Sequence, residues 1–281
     1  MATALTVQDI PSATGSLRSP MEDGRSCCLC GGRQFRLIDS WEVGHARNSA
    51  TIPLGVWECT CGLATLHPVP QAHELPAAGD WWTKSRKFVR RRLKFKRFRN
   101  KVQDRIFGDA IGRFARYTMK IRSGGRLLDV GCGIGGLLDR FRGHFECVGL
   151  EPSPVAAAEI RKKGYEVIES MLEDADLPDE SFDVVTMDAV IEHVYDPIDA
   201  LRQIHRCLKP GGVVALKTPK YGGLSNRLHK REWNGYRVGY HTFLFSGRSL
   251  GECMKAAGFE VLSSPKRDRP LDDILILWGR K

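Results

Sequence analysis

Short apolar runs recur along the second half of the chain, most of them closed by a glycine, a proline or an acid. Leu127-Leu128-Asp129-Val130, Val148-Gly149-Leu150, Phe182-Asp183-Val184-Val185-Thr186-Met187 and Val213-Val214-Ala215-Leu216 have the continuous hydrophobicity of strands covered on both faces. Strands are expected near 126–131, 146–151, 165–169, 182–188, 211–218, 259–264 and 273–279, with helices between most of them. That alternation predicts an α/β protein with a doubly wound sheet. Gly258-Phe259-Glu260-Val261-Leu262 and Ile274-Leu275-Ile276-Leu277-Trp278 leave no room for a helix between them.

With 281 residues, 42% of them apolar and charges of both signs, the chain can bury a sizeable core as a soluble protein. No segment approaches the roughly 18 continuous apolar residues of a membrane span. Residues 1–25, with Pro11, Ser12, Gly15, Ser16 and Pro20, lack the apolar centre of a signal peptide and read as a disordered tail. Nine cysteines without an export signal point to reduced thiols in a cytoplasmic setting.

The formal charge of +10 comes in large part from RKFVRRRLKFKRFRNK, residues 86–101, with ten basic side chains and no acid. Phe88, Phe95, Phe98, Val102 and Ile106 fall on one face of a helix there. Residues 81–122 therefore read as a basic helical connector. Its apolar stripe suits docking on a neighbouring domain, peripheral contact with an anionic membrane, or, as the weakest alternative, nucleic acid. Trp81 and Trp82 precede it, placed to anchor at an interface or to pack two domains together.

Five of the cysteines lie early. Cys27-Cys28-Leu29-Cys30-Gly31-Gly32 and Cys59-Thr60-Cys61-Gly62-Leu63 are two cysteine-glycine knuckles about thirty residues apart, the layout of a zinc ribbon across residues 26–80. Cys27, Cys30, Cys59 and Cys61 are the expected ligands of a structural Zn²⁺. The second knuckle is C-x-C rather than C-x-x-C, so Cys28 or His67 stands as an alternative to Cys61. Four protein ligands leave no open position for chemistry.

The candidate chemistry centres on Asp129-Val130-Gly131-Cys132-Gly133-Ile134-Gly135, followed by Glu151 at the end of the next apolar run. Alternating glycines allow a tight turn and close backbone approach to a ligand, and an acid about twenty residues on suits ribose hydroxyls. The spacing is G-x-G-x-G rather than G-x-G-x-x-G, and Asp129 precedes it. Both features disfavour a pyrophosphate and suit a cationic, phosphate-free cofactor.

With these motifs, the Phe182–Met187 run and the Leu208-Lys209-Pro210-Gly211-Gly212 turn in the same order, residues from about 105 to 281 resemble the class I S-adenosylmethionine-dependent methyltransferases. The resemblance implies a Rossmann-like sheet of seven strands over 123–281, ending in an antiparallel carboxy-terminal hairpin. It implies that Asp129, Gly131, Gly133 and Gly135 lie beneath the methionine part of the cofactor, with Glu151 on the ribose. Met171 and Leu172 would meet the adenine, and Asp188 would line the pocket. A ribbon ahead of such a domain, with Cys61-Gly62-Leu63 leading to Pro68-Val69-Pro70, is similar to a subgroup acting on sugars and other small molecules.

Methyl transfer is an in-line displacement that needs positioning and removal of a proton. His241 in Gly239-Tyr240-His241-Thr242-Phe243 is the candidate base, and His193 in Ile191-Glu192-His193-Val194 the second candidate. Thr218 to Tyr240 reads as a substrate-covering lid. No acidic cluster has magnesium-binding spacing, which disfavours metal-dependent catechol chemistry. The expected reaction is methylation of a hydroxyl of a sugar, glycolipid or related metabolite. Alternatives are carbon methylation of a nucleotide-linked sugar, methylation of a quinone-type phenol, and nucleic-acid modification.

Overall fold

The computed structural model describes residues 19–20, 22–44, 51–68, 110–236, 241–262 and 273–281. The basic segment 86–101, its apolar stripe, Trp81 and Trp82, and most of the amino-terminal tail lie outside them.

The larger sheet is built from β4 (Arg126–Val130), β5 (Glu146–Leu150), β6 (Glu166–Ile168), β7 (Phe182–Asp188), β8 (Leu208–Pro219), β10 (Glu260–Leu262) and β11 (Ile274–Arg280). Its order is β10-β11-β8-β7-β4-β5-β6. The five strands from β4 to β8 run parallel, and β11 is antiparallel to both β8 and β10. The Rossmann-like seven-stranded sheet and its antiparallel carboxy-terminal pair are as the sequence led one to expect. One difference is that β8 starts at Leu208, so the Lys209-Pro210-Gly211-Gly212 turn lies inside the strand. Phe182 pairs with Leu208 and Val184 with Val213, a register shift that absorbs those residues.

The strands are apolar because helices cover both faces. α1 (Ala110–Ile121), the four-residue α2 (Leu138–Phe141), α3 (Pro154–Lys162), α4 (Pro197–Cys207), α5 (Leu224–His229) and α6 (Gly247–Ala256) surround them. α4 shows how the chain starts a helix. Asp196 accepts the amides of Ile198 and Asp199, Pro197 needs no donor partner in the first turn, and Ile198, Leu201, Ile204 and Cys207 then face the core. Near the start of the parallel strands, Asp183 accepts the Arg126 amide at 2.9 Å, Lys209 at 2.7 Å and Arg122 at 2.7 Å. One carboxylate thereby ties the beginnings of β4, β7 and β8.

The smaller sheet has the order β1-β2-β3-β9, with β1 (Phe35–Gly44), β2 (Thr51–Cys59), β3 (Ala64–His67) and β9 (Phe243–Leu244), and every pairing is antiparallel. Its last strand comes from the carboxy-terminal half. Trp41, Leu54, Val56, Ala64 and Leu66 share a core with Tyr221, Trp233 and Leu244. The small sheet and the segment after β8 are thus packed around a shared core.

Candidate active site and cysteine cluster

Parallel β5 and β7 flank β4 on opposite sides, and the connections diverge there, which opens a crevice at the carboxyl ends of the strands. The glycine loop occupies that crevice. Gly131, Gly133 and Gly135 all have positive φ, at 64°, 57° and 78°, the left-handed region open to glycine. A Cβ on Gly131 would come within 2.6 Å of Val190, so close packing also demands glycine there.

Two carboxylates hold the loop from below. Asp129, 2% exposed, accepts the Thr186 hydroxyl at 2.7 Å. Glu151, 3% exposed, accepts the amides of Gly133 at 2.8 Å and Ser153 at 3.0 Å. Burial pushes the Asp129 carboxyl up to about 8, with the Thr186 hydrogen bond opposing it. Burial also raises Glu151, against the two amides. Neither acid forms a salt bridge among the described residues. Charged carboxylates in such a place call for a cation and hydroxyl donors, and would repel phosphate. Four lone-pair sites on Glu151 leave capacity beyond its two amides. The donor set therefore fits S-adenosylmethionine.

Leu172 is buried in the core, whereas Met171 is 45% exposed just beyond β6. They can offer an adenine ring apolar contact. Asp188 ends β7 and pairs with Lys217 at 2.7 Å across the neighbouring strand. Both line a cavity of about 230 Å³ shared with Ala189, Thr218, Asn234 and Gly235.

After Asp188 the backbone turns sharply at Ala189, whose φ of 59° is rare outside glycine, and the Ala189 amide donates to the Lys217 carbonyl at 2.7 Å. This turn delivers Glu192 and His193. The Glu192 carbonyl accepts the amides of Thr242 at 2.8 Å and Phe243 at 3.2 Å. His193 and His241, 48 positions apart in sequence, consequently have ring centroids 4.7 Å apart with planes crossing at 73°. The Thr242 carbonyl in turn accepts the Leu66 amide at 2.9 Å and the Thr65 hydroxyl at 2.9 Å, so the small sheet buttresses the histidine segment. His241 Nδ1 lies 2.8 Å from the Gly235 carbonyl. A carbonyl only accepts, so Nδ1 carries the proton and the neutral ring has its lone pair on Nε2.

Glu192, Lys217 and Thr218 join the site without having been singled out from sequence. Glu192 is 1% exposed, accepts the Thr218 hydroxyl at 2.9 Å, and is pushed up to about 7 by burial. The available signal was position alone: Lys217 pairs with Asp188 in the parallel register, at the ligand-facing strand ends.

The two cysteine knuckles meet. Cys27 and Cys61 sulfurs are 3.6 Å apart, those of Cys30 and Cys59 3.5 Å, and all four lie within 4.8 Å of one another. A tetrahedral Zn²⁺ with Zn–S bonds of about 2.3 Å sets sulfurs roughly 3.8 Å apart, so the four fit zinc. The shortened C-x-C knuckle still presents Cys61, because Gly62 turns with φ 91° and donates to the Cys59 carbonyl at 2.8 Å. Cys28 is not among the four, and His67 faces Asp23 at 2.8 Å.

A family model described as a methyltransferase domain matches residues 98–264. Ubiquinone biosynthesis O-methyltransferase of Ruegeria pomeroyi is 34% identical over 169 residues, which are 55% of this chain and 64% of that protein. Phosphoethanolamine N-methyltransferase 1 of Arabidopsis thaliana is 29% identical over 167 residues, 54% of this chain and 32% of that one. The chain thus spans less than two thirds of the length of either. Among solved structures, an S-adenosylmethionine-dependent methyltransferase of Thermotoga maritima superposes with a TM-score of 0.51 at 27% identity, over 66% of this chain and 98% of that one.

Proposed function

The chain belongs to the class I S-adenosylmethionine-dependent methyltransferases, the family whose domain spans residues 98–264, and we propose that its acceptor is a hydroxyl of a small molecule such as a sugar, a glycolipid or a related metabolite. The observation that carries the acceptor reading is the His241 tautomer, oriented by the Gly235 carbonyl beside a small cavity. S-adenosylmethionine supplies a methyl group already activated by its sulfonium charge. Asp129 would give up its proton opposite that charge and serve as its buried counter-ion, and Glu151 would accept ribose hydroxyls while shaping the loop. Met171 and Leu172 would contact the adenine, and Asp188 would border the cofactor on the acceptor side. His241 Nε2 would take the hydroxyl proton as the oxygen bonds to the methyl carbon and the C–S bond breaks with its electron pair left on sulfur, and His193, packed against the His241 ring, would orient the acceptor.

Zn²⁺ held by Cys27, Cys30, Cys59 and Cys61 would stabilise the small sheet and, through Thr242, the position of His241. None of the helices among the described residues is long and apolar enough to cross a membrane. Contact of residues 86–101 with anionic lipid rests on their charge and apolar stripe, and fits a lipid-linked acceptor.

A phenolic hydroxyl is the second reading, favoured by the ubiquinone biosynthesis O-methyltransferase at 34% identity. The N-methyltransferase relative means that likeness alone does not decide the acceptor atom. Transfer of labelled methyl to parallel panels of sugars, phenols and amines tests the proposal. Label entering a hydroxyl panel and falling in His241→Ala supports it, and label entering only amines overturns it.

A further inference from the structure

We propose that Glu192, His193 and His241 form a binding site for one divalent first-row cation on the acceptor side of the methyl-transfer site. One ligand atom from each residue lies within 4.8 Å of the other two. Metal–ligand bonds of about 2.0–2.2 Å place three donors roughly 3–3.6 Å apart around one ion, so side-chain movement of no more than about 1–2 Å completes the set. Glu192 points to a ligand independently. Its Oε2 accepts the Thr218 hydroxyl at 2.9 Å, whereas Oε1 is fully buried and finds no hydrogen-bond partner among the described residues. A buried carboxylate oxygen without a donor is destabilising, and a cation removes that cost.

The orientation of His241 matches the same role. A metal-bound imidazole usually donates its other N–H to a carbonyl or carboxylate, which fixes the ring. Nδ1 of His241 donates in this way to Gly235, which directs Nε2 to the cation. Two imidazole nitrogens and one carboxylate oxygen suit Mn²⁺, Fe²⁺, Co²⁺ or Zn²⁺ and leave coordination positions for oxygen ligands. This donor set is harder than the four thiolates of the small sheet, so it accepts Mn²⁺, which four thiolates disfavour.

The inference rests on the hydroxyl reading for its chemistry and gives His241 the role of ligand in place of base. With Nε2 of His241 on the cation, an acceptor hydroxyl that coordinates there loses its proton to solvent, because the cation lowers its pKa. The oxygen lone pair then bonds to the methyl carbon, and the electron pair of the broken C–S bond stays on sulfur. The sequence had disfavoured metal-dependent catechol chemistry because no acidic cluster has magnesium-binding spacing. Here two of the three ligands are histidines, brought together only by folding.

The test uses the full-length protein with zinc on its cysteines, titrated with Mn²⁺ while the electron paramagnetic resonance signal of the free ion is followed. The proposal expects one equivalent taken up, with binding weakened at least tenfold in Glu192→Gln and in His241→Gln, by at least about the tenfold lower bound for loss of supporting groups. His193→Ala, at an exposed position, keeps the test informative should either buried variant fail to fold, and the same weakening is expected. Undiminished uptake in His193→Ala, or no uptake by the wild type at millimolar Mn²⁺, overturns the site. S-adenosylmethionine binding measured alongside separates the two readings. A protein that transfers methyl to hydroxyls after chelation, and takes up no Mn²⁺, loses the cation and keeps His241 as base. One that takes up Mn²⁺ through these residues but methylates no hydroxyl keeps the site and loses the hydroxyl reading.

Discussion

Glu151 accepts the Gly133 amide at 2.8 Å, so the acid that ends the second strand of the sheet also fixes the curvature of the glycine loop ending the first. The carboxylate proposed to meet the ribose is thus also the one that shapes the loop. Its other oxygen receives Ser153, the N-cap of α3, which locks the following helix to the same point.

This coupling predicts two different losses at Glu151. Glu151→Gln keeps a carbonyl oxygen for one of the amides and weakens S-adenosylmethionine binding by about tenfold, one charge-assisted hydrogen bond. Glu151→Ala also frees the loop, and a weakening of about a hundredfold is expected by calorimetry. Unchanged affinity in Glu151→Ala would remove the cofactor assignment.

Asp129 carries a pH signature. Its carboxyl titrates at about 8 in the fold, above its unfolded value, so the stability it contributes is fully present at low pH and is lost as pH rises towards 8. Asp129→Asn removes that loss. The melting temperature of the variant relative to the wild type, both without cofactor, should climb steadily between pH 5 and about 8, a relative stability gain on the order of 4 kcal/mol at about 1.4 kcal/mol per pH unit. A constant difference across that range would show that Asp129 is ionised throughout.

His241→Ala should lower kcat by about 10²- to 10⁴-fold while leaving S-adenosylmethionine affinity within about twofold. The proposed cofactor residues lie at the ends of β4 and β5, whereas the histidine segment is held by Glu192 and β3. Single-turnover transfer measured beside calorimetry distinguishes lost chemistry from lost binding.

Metal analysis of protein purified under reducing conditions should find one zinc per chain, absent in Cys30→Ser. Its removal should lower both the melting temperature and activity, because β3 supports Thr242 beside His241. Zinc-free protein with full activity and stability would refute the structural role.

Far from the site, Asp183→Asn should destabilise the fold by about 1–3 kcal/mol without changing cofactor affinity, since Asp183 ties Arg122, Lys209 and the Arg126 amide near the starts of three strands. These partners hold its carboxyl at about 2 despite the burial that pushes it up. The wild-type contribution is therefore present above the ordinary carboxylate range and is lost as pH falls towards 2. Chemical denaturation at pH 7 and at pH 3 should show a smaller difference at the lower pH.

The large sheet and the glycine loop were legible in the chain because their determinants are local. Apolar runs such as Phe182–Met187 can be satisfied only between covering layers, and Gly131, Gly133 and Gly135 are needed where φ is positive. The four cysteines could be read for the same reason, as each knuckle is a short turn with its own glycine. Their choice over Cys28 and His67 was not legible, because it depends on how Gly62 turns Cys61 towards Cys27. The pairing of Asp188 with Lys217 and the meeting of Glu192, His193 and His241 were decided by tertiary structure alone. Those contacts depend on parallel register, on the turn at Ala189 and on the Glu192 carbonyl holding the segment that follows His241. Periodicity records which face of an element is buried, and it carries no information on which distant loop completes the other side of a site.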